Sequence, residues 1–132
     1  MIVNVLRFRL RDGITPEEEA EVVGAMRRTA SLDSVAFGSV GRDLSIPDEG
    51  YALTYVVGIP DLEALERYMH DPVHLAGDDV ILPHVVSAAA VRSSDDGDPD
   101  ISAKVGALHA AKAAKYPEWG RVVEKLFSGQ AA

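Results

Sequence analysis

The chain of 132 residues is 47% hydrophobic and 26% charged, which predicts a single soluble globular domain with a substantial core. It has no cysteine, which excludes disulfides, thiolate nucleophiles and zinc–sulfur sites and favours a reducing compartment. Its net charge of −8 argues against nucleic acid and anionic membranes as partners, and no apolar run is long enough for a signal peptide or a membrane span, so we expect a cytoplasmic protein.

Charge divides the chain into three parts. Residues 1–92 carry 15 acids and 8 bases, whereas residues 93–100 ("SSDDGDPD") carry 4 aspartates and no base. Residues 101–132 carry 2 acids and 5 bases. A turn-favouring acidic stretch therefore separates an acidic region from a mildly basic one. We predict a core domain over 1–92, an acidic linker over 93–100 and a helical extension over 101–132.

The first two predicted elements are a strand and a helix. Residues 2–11 alternate as a strand does, and one face would carry Ile2, Asn4, Leu6, Phe8 and Leu10. Thr15, Pro16 and Glu18 then supply the N-cap, the first position and the capping box of a helix. Its predicted buried stripe consists of Val22, Val23, Met26 and Ala30.

Two further strands are predicted next. Residues 34–44 read as a strand that is bent near Gly38 or Gly41. Residues 51–59 read as a third strand, with one face formed by Tyr51, Leu53, Tyr55, Val57 and Ile59.

The core domain ends with helical segments and one more strand. Residues 60–71 predict a helix capped by Asp61 and interrupted by Pro72, followed by a short helix that ends before Pro83. Residues 85–91 predict the last strand. The order β-α-β-β-α-β indicates an α+β, ferredoxin-like protomer. Neither face of the sheet is polar, since Val3 and Val5 lie on the reverse side of strand one. We therefore expect two sheets to pair in a dimer and to enclose a barrel with an interior cavity.

The extension is predicted to contain two amphipathic helices. The first has Ile101, Val105 and Leu108 on one stripe. The second begins at Pro117, and its wide apolar stripe consists of Trp119, Val122, Val123, Leu126 and Phe127. A stripe of this width has to be buried, so we expect the extension to pack on its own dimer, across the barrel mouth or on the partner protomer.

Residues 2–91 resemble the stress-responsive dimeric α/β-barrel (Dabb) family. The resemblance rests on "VLRFRLRDGITPEEEAE", "VGRDLS", "GYALTYVVGIPDLEALERYMHDPVH" and "VVSAAAV", of which "DLEALERYMHDPVH" is the most specific. It implies a homodimer that works without a cofactor. Some members are polyketide cyclases that use a tyrosine and a histidine six positions apart, which here are Tyr68 and His74. Many members carry a histidine in strand one where this chain has Asn4, and His84 or His70 are possible replacements.

The resemblance and the residues together give a set of candidate site residues. The catalytic candidates are His74, as acid or base, and Tyr68, as a hydrogen-bond donor. The candidates for substrate binding are Asn4, Leu6, Phe8, Arg7, Tyr51 and Tyr55. For Arg7, pairing with an acid is the favoured alternative to binding a substrate carboxylate. The polar residues expected to face water are His70, Asp71, Asp78 and Asp79, and no metal is expected because adjacent aspartates on a helix diverge.

Three functions remain open at this point. The first is a cofactor-independent cyclase or lyase that acts on a polyketide-like carbonyl compound by acid–base catalysis. The second is a non-catalytic stress-responsive protein that binds a small apolar ligand in the same cavity. The third is a cofactor-free monooxygenase, which rests on fold analogy alone.

Overall fold

The computed structural model describes residues 1–128 and confirms the α+β, ferredoxin-like architecture. One antiparallel four-stranded sheet has the strand order β2-β3-β1-β4. Its strands are β1 (Ile2–Leu10), β2 (Phe37–Arg42), β3 (Leu53–Ile59) and β4 (Val85–Ser94). The helices are α1 (Pro16–Ala30), α2 (Leu62–His70), α3 (Pro72–Ile81), α4 (Ile101–Lys115) and α5 (Pro117–Phe127). None of these helices is long and apolar enough to cross a membrane.

The predicted helix starts are confirmed by their side-chain caps. Thr15 and Glu18 form both hydrogen bonds of the capping box of α1. Asp61 caps α2 by accepting from the backbone N–H of Ala64 at 2.8 Å. Pro72 stands at the first position of α3, whose N-cap Asp71 accepts from the N–H of Val73 at 2.8 Å. The proline therefore begins a new helix directly after α2, which fixes the angle at which α3 leaves.

Two strand boundaries differ from the prediction in ways that matter for the site. Strand β3 begins at Leu53, so Tyr51 lies before it and does not follow its alternation. Strand β4 continues three residues beyond Val91 to Ser94, because its pairing with β1 runs to the contact of Ser94 with Ile2. The predicted linker is correspondingly shorter. Strand β2 covers 37–42 of the predicted 34–44.

The two faces of the sheet have different surroundings. The inner face packs against the helices and forms the core, where Val57 and Ile59 of β3 meet Val22 and Met26 of α1. No other element in the described part of the chain covers the outer face. It exposes Phe37 by 49% and Val91 by 66%. Both faces are thus apolar, as predicted.

The extension packs on its own chain. Helix α5 lies against β4, and α4 lies against α2 and α5. Leu126 is buried in the core, and Val105, Leu108 and Phe127 pack on it, although Val122 of the predicted stripe stays 43% exposed. The acidic linker is ordered by successive turns, in which the N–H of Asp98 donates to Asp96 and the N–H of Asp100 donates to Asp98.

Candidate functional site

A cavity of about 120 Å³ lies between the inner face of the sheet and the helices. Residues of the sheet and of α1, α2 and α3 line it, and residues of α4 and α5 in the extension complete the lining. The sequence predicts a dimeric barrel with a cavity at each protomer, and this cavity lies within a single protomer on the helix-covered face. Its polar lining consists of Asn4, Thr29, Tyr55, Tyr68, His74, Asp78, Arg92, His109, Lys112 and Trp119.

Two buried tyrosines share a hydrogen bond at this cavity. The hydroxyls of Tyr55 (β3) and Tyr68 (α2) are in direct contact, and the two residues are 4% and 5% exposed. Burial raises the pKa of both phenols, so both remain protonated at neutral pH. Each hydroxyl carries one proton, and only one of these two protons is needed for the hydrogen bond between them. The second proton can therefore be donated to a ligand oxygen.

His74 lies in the first turn of α3, with its ring centroid 4.4 Å from that of Tyr68. Its Nδ1 lies 2.8 Å from the backbone carbonyl oxygen of Tyr68. A carbonyl oxygen only accepts, so Nδ1 carries the proton and Nε2 of the neutral ring has a free lone pair. Burial lowers the pKa of His74, in opposition to the nearby Asp78 carboxylate, which raises it. The geometry therefore gives a neutral imidazole with Nε2 available as a base.

Asp78 links α3 to the extension. Its Oδ2 accepts a hydrogen bond from the indole N–H of Trp119 at 2.9 Å and lies 3.6 Å from Nε2 of His74. The same oxygen is 4.0 Å from Nζ of Lys112. The prediction that Asp78 faces water is therefore wrong, because α4 and α5 cover it. Asp79, on the next position of α3, is exposed as predicted.

Lys112 is the most deeply buried charged residue that lines the cavity, and its side chain is 2% exposed. Its ammonium lies 4.1 Å from the centroid of the Trp119 ring, a cation–π contact. Burial lowers the pKa of Lys112 to about 8, although Asp78 raises it.

Two further polar side chains reach the cavity with an unused hydrogen-bonding atom. Asn4 Oδ1 and His109 Nε2 are buried and have no hydrogen-bond partner among residues 1–128. Such atoms carry an energetic cost unless a ligand or water satisfies them. Burial, together with the positive charges of Arg92 and Lys112, lowers the pKa of His109 to about 4.

Arg7 and Tyr51 lie away from this cavity, which corrects their predicted place beside the substrate. Arg7 is on the outer face, where it donates to Asp43 at 2.8 Å and to Glu49 at 2.9 Å. Tyr51 stacks under the guanidinium groups of Arg7 and Arg9 at 4.0 and 3.9 Å. The favoured alternative for Arg7, pairing with an acid, is the one the structure contains. Asn4, Leu6, Phe8 and Tyr55 do line the cavity.

The proposed replacements for the strand-one histidine also lie elsewhere. His84 accepts from Nε of Arg11 at 3.1 Å, beside Glu18. His70 is near the hydroxyl of Tyr116, at 3.5 Å, outside the cavity lining. Besides His74, the histidine that lines the same cavity as Asn4 is His109 of α4.

Sequence reasoning missed several lining residues, although weak signals existed. Asp78 stands four positions after His74, which is one helical turn. Lys112 continues the spacing of Ile101, Val105 and Leu108, so a lysine falls on an apolar stripe. The sequence did not indicate which surface that stripe would cover.

Comparison with known proteins decides the family. The sequence matches the family described as "Stress responsive A/B Barrel Domain" over residues 2–94. The chain belongs to the Dabb family. The matched region ends with β4, so the extension lies outside the Dabb domain. None of the curated proteins matches this sequence.

Several solved structures share the Dabb fold. A dimeric ferredoxin-like protein of unknown function from Thermobifida fusca is 23% identical over 70% of this chain and 89% of its own, with a TM-score of 0.63. A Dabb protein from Mesorhizobium loti is 22% identical over 73% of this chain and 97% of its own, with a TM-score of 0.61. A hydroxynitrile lyase from Passiflora edulis is 10% identical over 74% and 94%, with a TM-score of 0.60. These likenesses show the fold.

Proposed function

We propose that this Dabb protein binds a small carbonyl compound in the cavity and converts it by acid–base catalysis without a cofactor, as a cyclase or lyase. The observation that carries the proposal is the position of His74. Its Nδ1 proton is held by the carbonyl of Tyr68, so Nε2 is a free base in the cavity that also contains the two phenols. A general base needs a lone pair directed at the substrate, and the neutral buried imidazole supplies it.

The proposed reaction begins with proton removal from the carbon next to a carbonyl. Nε2 of His74 takes that proton, and the electron pair moves onto the carbonyl oxygen as an enolate. The free O–H of the Tyr55–Tyr68 pair donates to this oxygen, where negative charge develops. Asp78, 3.6 Å from Nε2, stabilises the imidazolium that forms. The enolate then attacks a second carbonyl or expels a leaving group, and His74 returns the proton.

A homodimer is part of this proposal. The exposed outer face carries Val3, Val5, Val56, Val91 and Phe37, and two such faces can cover each other in an isologous contact. The relative from Thermobifida fusca is described as dimeric, which supports the same assembly here. The cysteine-free sequence fits the cytoplasmic location that we expect.

The proposal is tested with His74→Gln and Tyr68→Phe on a panel of 1,3-dicarbonyl compounds. Exchange of the α-proton with deuterium, followed by NMR, measures the first step without requiring the natural substrate. Each variant should lose about 10²- to 10⁴-fold in rate, the usual contribution of a positioned acid or base. His84→Gln is the matched control, because that histidine lies outside the cavity. Wild-type exchange rates in both cavity variants would contradict the proposal.

The non-catalytic alternative is supported by the apolar part of the cavity, which includes Leu6, Phe8 and Leu65. A protein of this kind would bind the same compounds with thermal stabilisation and no rate acceleration. Oxygen uptake with a phenolic compound would instead indicate the monooxygenase alternative.

A further inference from the structure

The extension brings a lysine into the interior of the protein. Lys112 is 2% exposed at its side chain and lies on the face of α4 that covers the cavity. Removing an ammonium group from water costs several kcal/mol unless partners replace the water. The partners of Lys112 therefore indicate whether its charge is satisfied within the chain.

The charge of Lys112 is only partly compensated. Its nearest carboxylate oxygen in the described part of the chain, Asp78 Oδ2, is 4.0 Å from Nζ, which is beyond hydrogen-bond distance. That oxygen already accepts from Trp119 at 2.9 Å. The Trp119 ring contacts the ammonium through its face and accepts no conventional hydrogen bond. Within residues 1–128 the three N–H donors of Lys112 are thus available to a molecule in the cavity.

Further positive charge surrounds the same space. Arg92 of β4 lines the cavity, and the positive charges of Arg92 and Lys112 both act on His109. His109 Nε2 is buried there without a partner in the described residues. Among residues 1–128, the cavity lining contains one carboxylate, that of Asp78, against these two cations. The lining therefore has an excess of positive charge and unused hydrogen-bonding groups.

We propose that the extension makes the cavity a site for a carboxylate-bearing ligand, whose carboxylate is bound by Lys112 with Arg92 and His109. The proposal rests on the cavity being the functional site and narrows the carbonyl compounds suggested above to carbonyl acids. Lysine binds a carboxylate as a point charge with charge-assisted hydrogen bonds, which are stronger when water is excluded. Tyr68 and His74 then lie in the same cavity for the carbonyl end of the ligand.

The size of the cavity selects the probes. The cavity of about 120 Å³ is smaller than an engineered cavity of about 150 Å³ that holds benzene in another protein, so the probes are limited to a single ring or a short chain. Benzoate and benzamide have nearly the same shape and differ in charge, and so do hexanoate and hexanamide. Comparing acid with amide within each pair isolates the contribution of the carboxylate from that of the shape.

The experiment is calorimetric titration of the full chain with each of the four probes at neutral pH and low salt. Each carboxylate should bind at least about tenfold more tightly than its amide, which corresponds to one neutralised charge in a dry site. Lys112→Met keeps the length of the side chain and removes its charge, so the preference should disappear. Lys112→Arg keeps the charge, so the preference should remain.

Two further variants test whether the preference for the carboxylate depends on Lys112 itself. Lys115→Met removes an exposed charge from the same helix and should leave the preference unchanged. If Lys112→Met alone does not fold, the double variant Asp78→Asn/Lys112→Met removes both charges together and should bind acid and amide equally. The proposal is overturned if wild-type protein binds acid and amide equally, if neither carboxylate binds, or if a variant without Lys112 keeps the preference. Binding is measured without turnover, so failure of the acid–base proposal at His74 would be seen separately.

Discussion

At the scale of single residues, burial determines what each group in the cavity can do. Desolvation raises the pKa of the Tyr55 and Tyr68 phenols, which therefore stay protonated. It lowers the pKa of His74, which stays neutral, and it lowers the pKa of Lys112. A donor, a base and a titratable cation are therefore present together near neutral pH. Two pH effects follow, one in the cavity and one on the outer face.

The affinity for benzoate should depend on the protonation of Lys112. The groups that contact or act on this lysine are Asp78, Trp119, His109 and His74, and Arg92 acts on the same His109. Because the pKa of Lys112 is lowered to about 8, the ammonium is present below that pH and is lost above it. The dissociation constant for benzoate should be flat from about pH 6.5 to 7.5 and rise above about pH 8, by up to about tenfold per pH unit.

Benzamide is the internal control for this measurement, since a neutral ligand gains nothing from the ammonium. Its affinity, titrated in the same buffers, should stay constant over the range. A benzoate affinity that runs parallel to that of benzamide up to pH 9.5 would contradict the role of Lys112.

On the outer face, Asp43 should contribute to stability in a pH-dependent way. The guanidinium of Arg7, the hydroxyl of Thr54 and the N–H of Ser45 hold its pKa well below the usual value. Because the pKa of Asp43 is lower in the folded state than in the unfolded state, its carboxylate stabilises the fold above the unfolded pKa of about 3.9. This stabilisation is lost as the pH falls below that value toward the folded-state pKa. The difference in unfolding free energy between wild type and Asp43→Asn should therefore shrink between about pH 5 and pH 2. Urea denaturation at a series of pH values measures it, and a constant difference would contradict the assignment.

At the scale of elements, the sequence predicted the order and most starts of the helices and strands, for local reasons. The capping box of Thr15 and Glu18 and the cap of Asp61 act within one helical turn, so they can be read from neighbouring residues. Tyr51 was misplaced because β3 begins two residues after it, which alternation alone does not reveal. The covering of Asp78 by α4 and α5 depends on packing between distant segments, so no local pattern contained it.

The glycines of β2 give a test of packing between elements. A Cβ at Gly38 would lie 2.8 Å from the carbonyl oxygen of Ala30 and 3.0 Å from its Cβ, at the end of α1. That backbone cannot move without shifting the helix, so Gly38→Ala should destabilise the protein by about 1–3 kcal/mol. Gly41 lies in the same strand, and no neighbouring atom of residues 1–128 is within 4 Å of its Cβ position, so Gly41→Ala should change stability little. Urea unfolding at one protein concentration compares them, and equal effects would contradict the close contact of β2 with α1.

At the scale of the whole molecule, the two faces of the sheet have separate roles. The inner face and the extension enclose the cavity within one chain, while the outer face is exposed and is the surface that we propose for dimerisation. Dimerisation is thus expected to stabilise the sheet without contributing to the cavity lining described here. A change on the outer face should alter assembly and leave ligand binding intact.

Val91→Asp tests this separation. Val91 is 66% exposed and pairs with Val5 on the outer face, so an aspartate there is tolerated by the single chain but places two carboxylates in a two-fold interface. The variant should be monomeric at micromolar concentration by light scattering. Val122→Asp, at an exposed apolar position on α5, is the control and should remain dimeric. A dimeric Val91→Asp variant would contradict pairing through the outer face.

The position of the acidic linker has a consequence for proteolysis. Residues 95–97 are exposed and irregular, and they stand between the Dabb domain and every residue that the extension adds to the cavity. A protease that cleaves there leaves Tyr68 and His74 on one fragment and His109, Lys112 and Trp119 on the other, held together only by packing. A nicked sample that releases the extension would keep its proposed acid–base residues and lose its proposed carboxylate site, so one cut would broaden the range of compounds that the cavity admits.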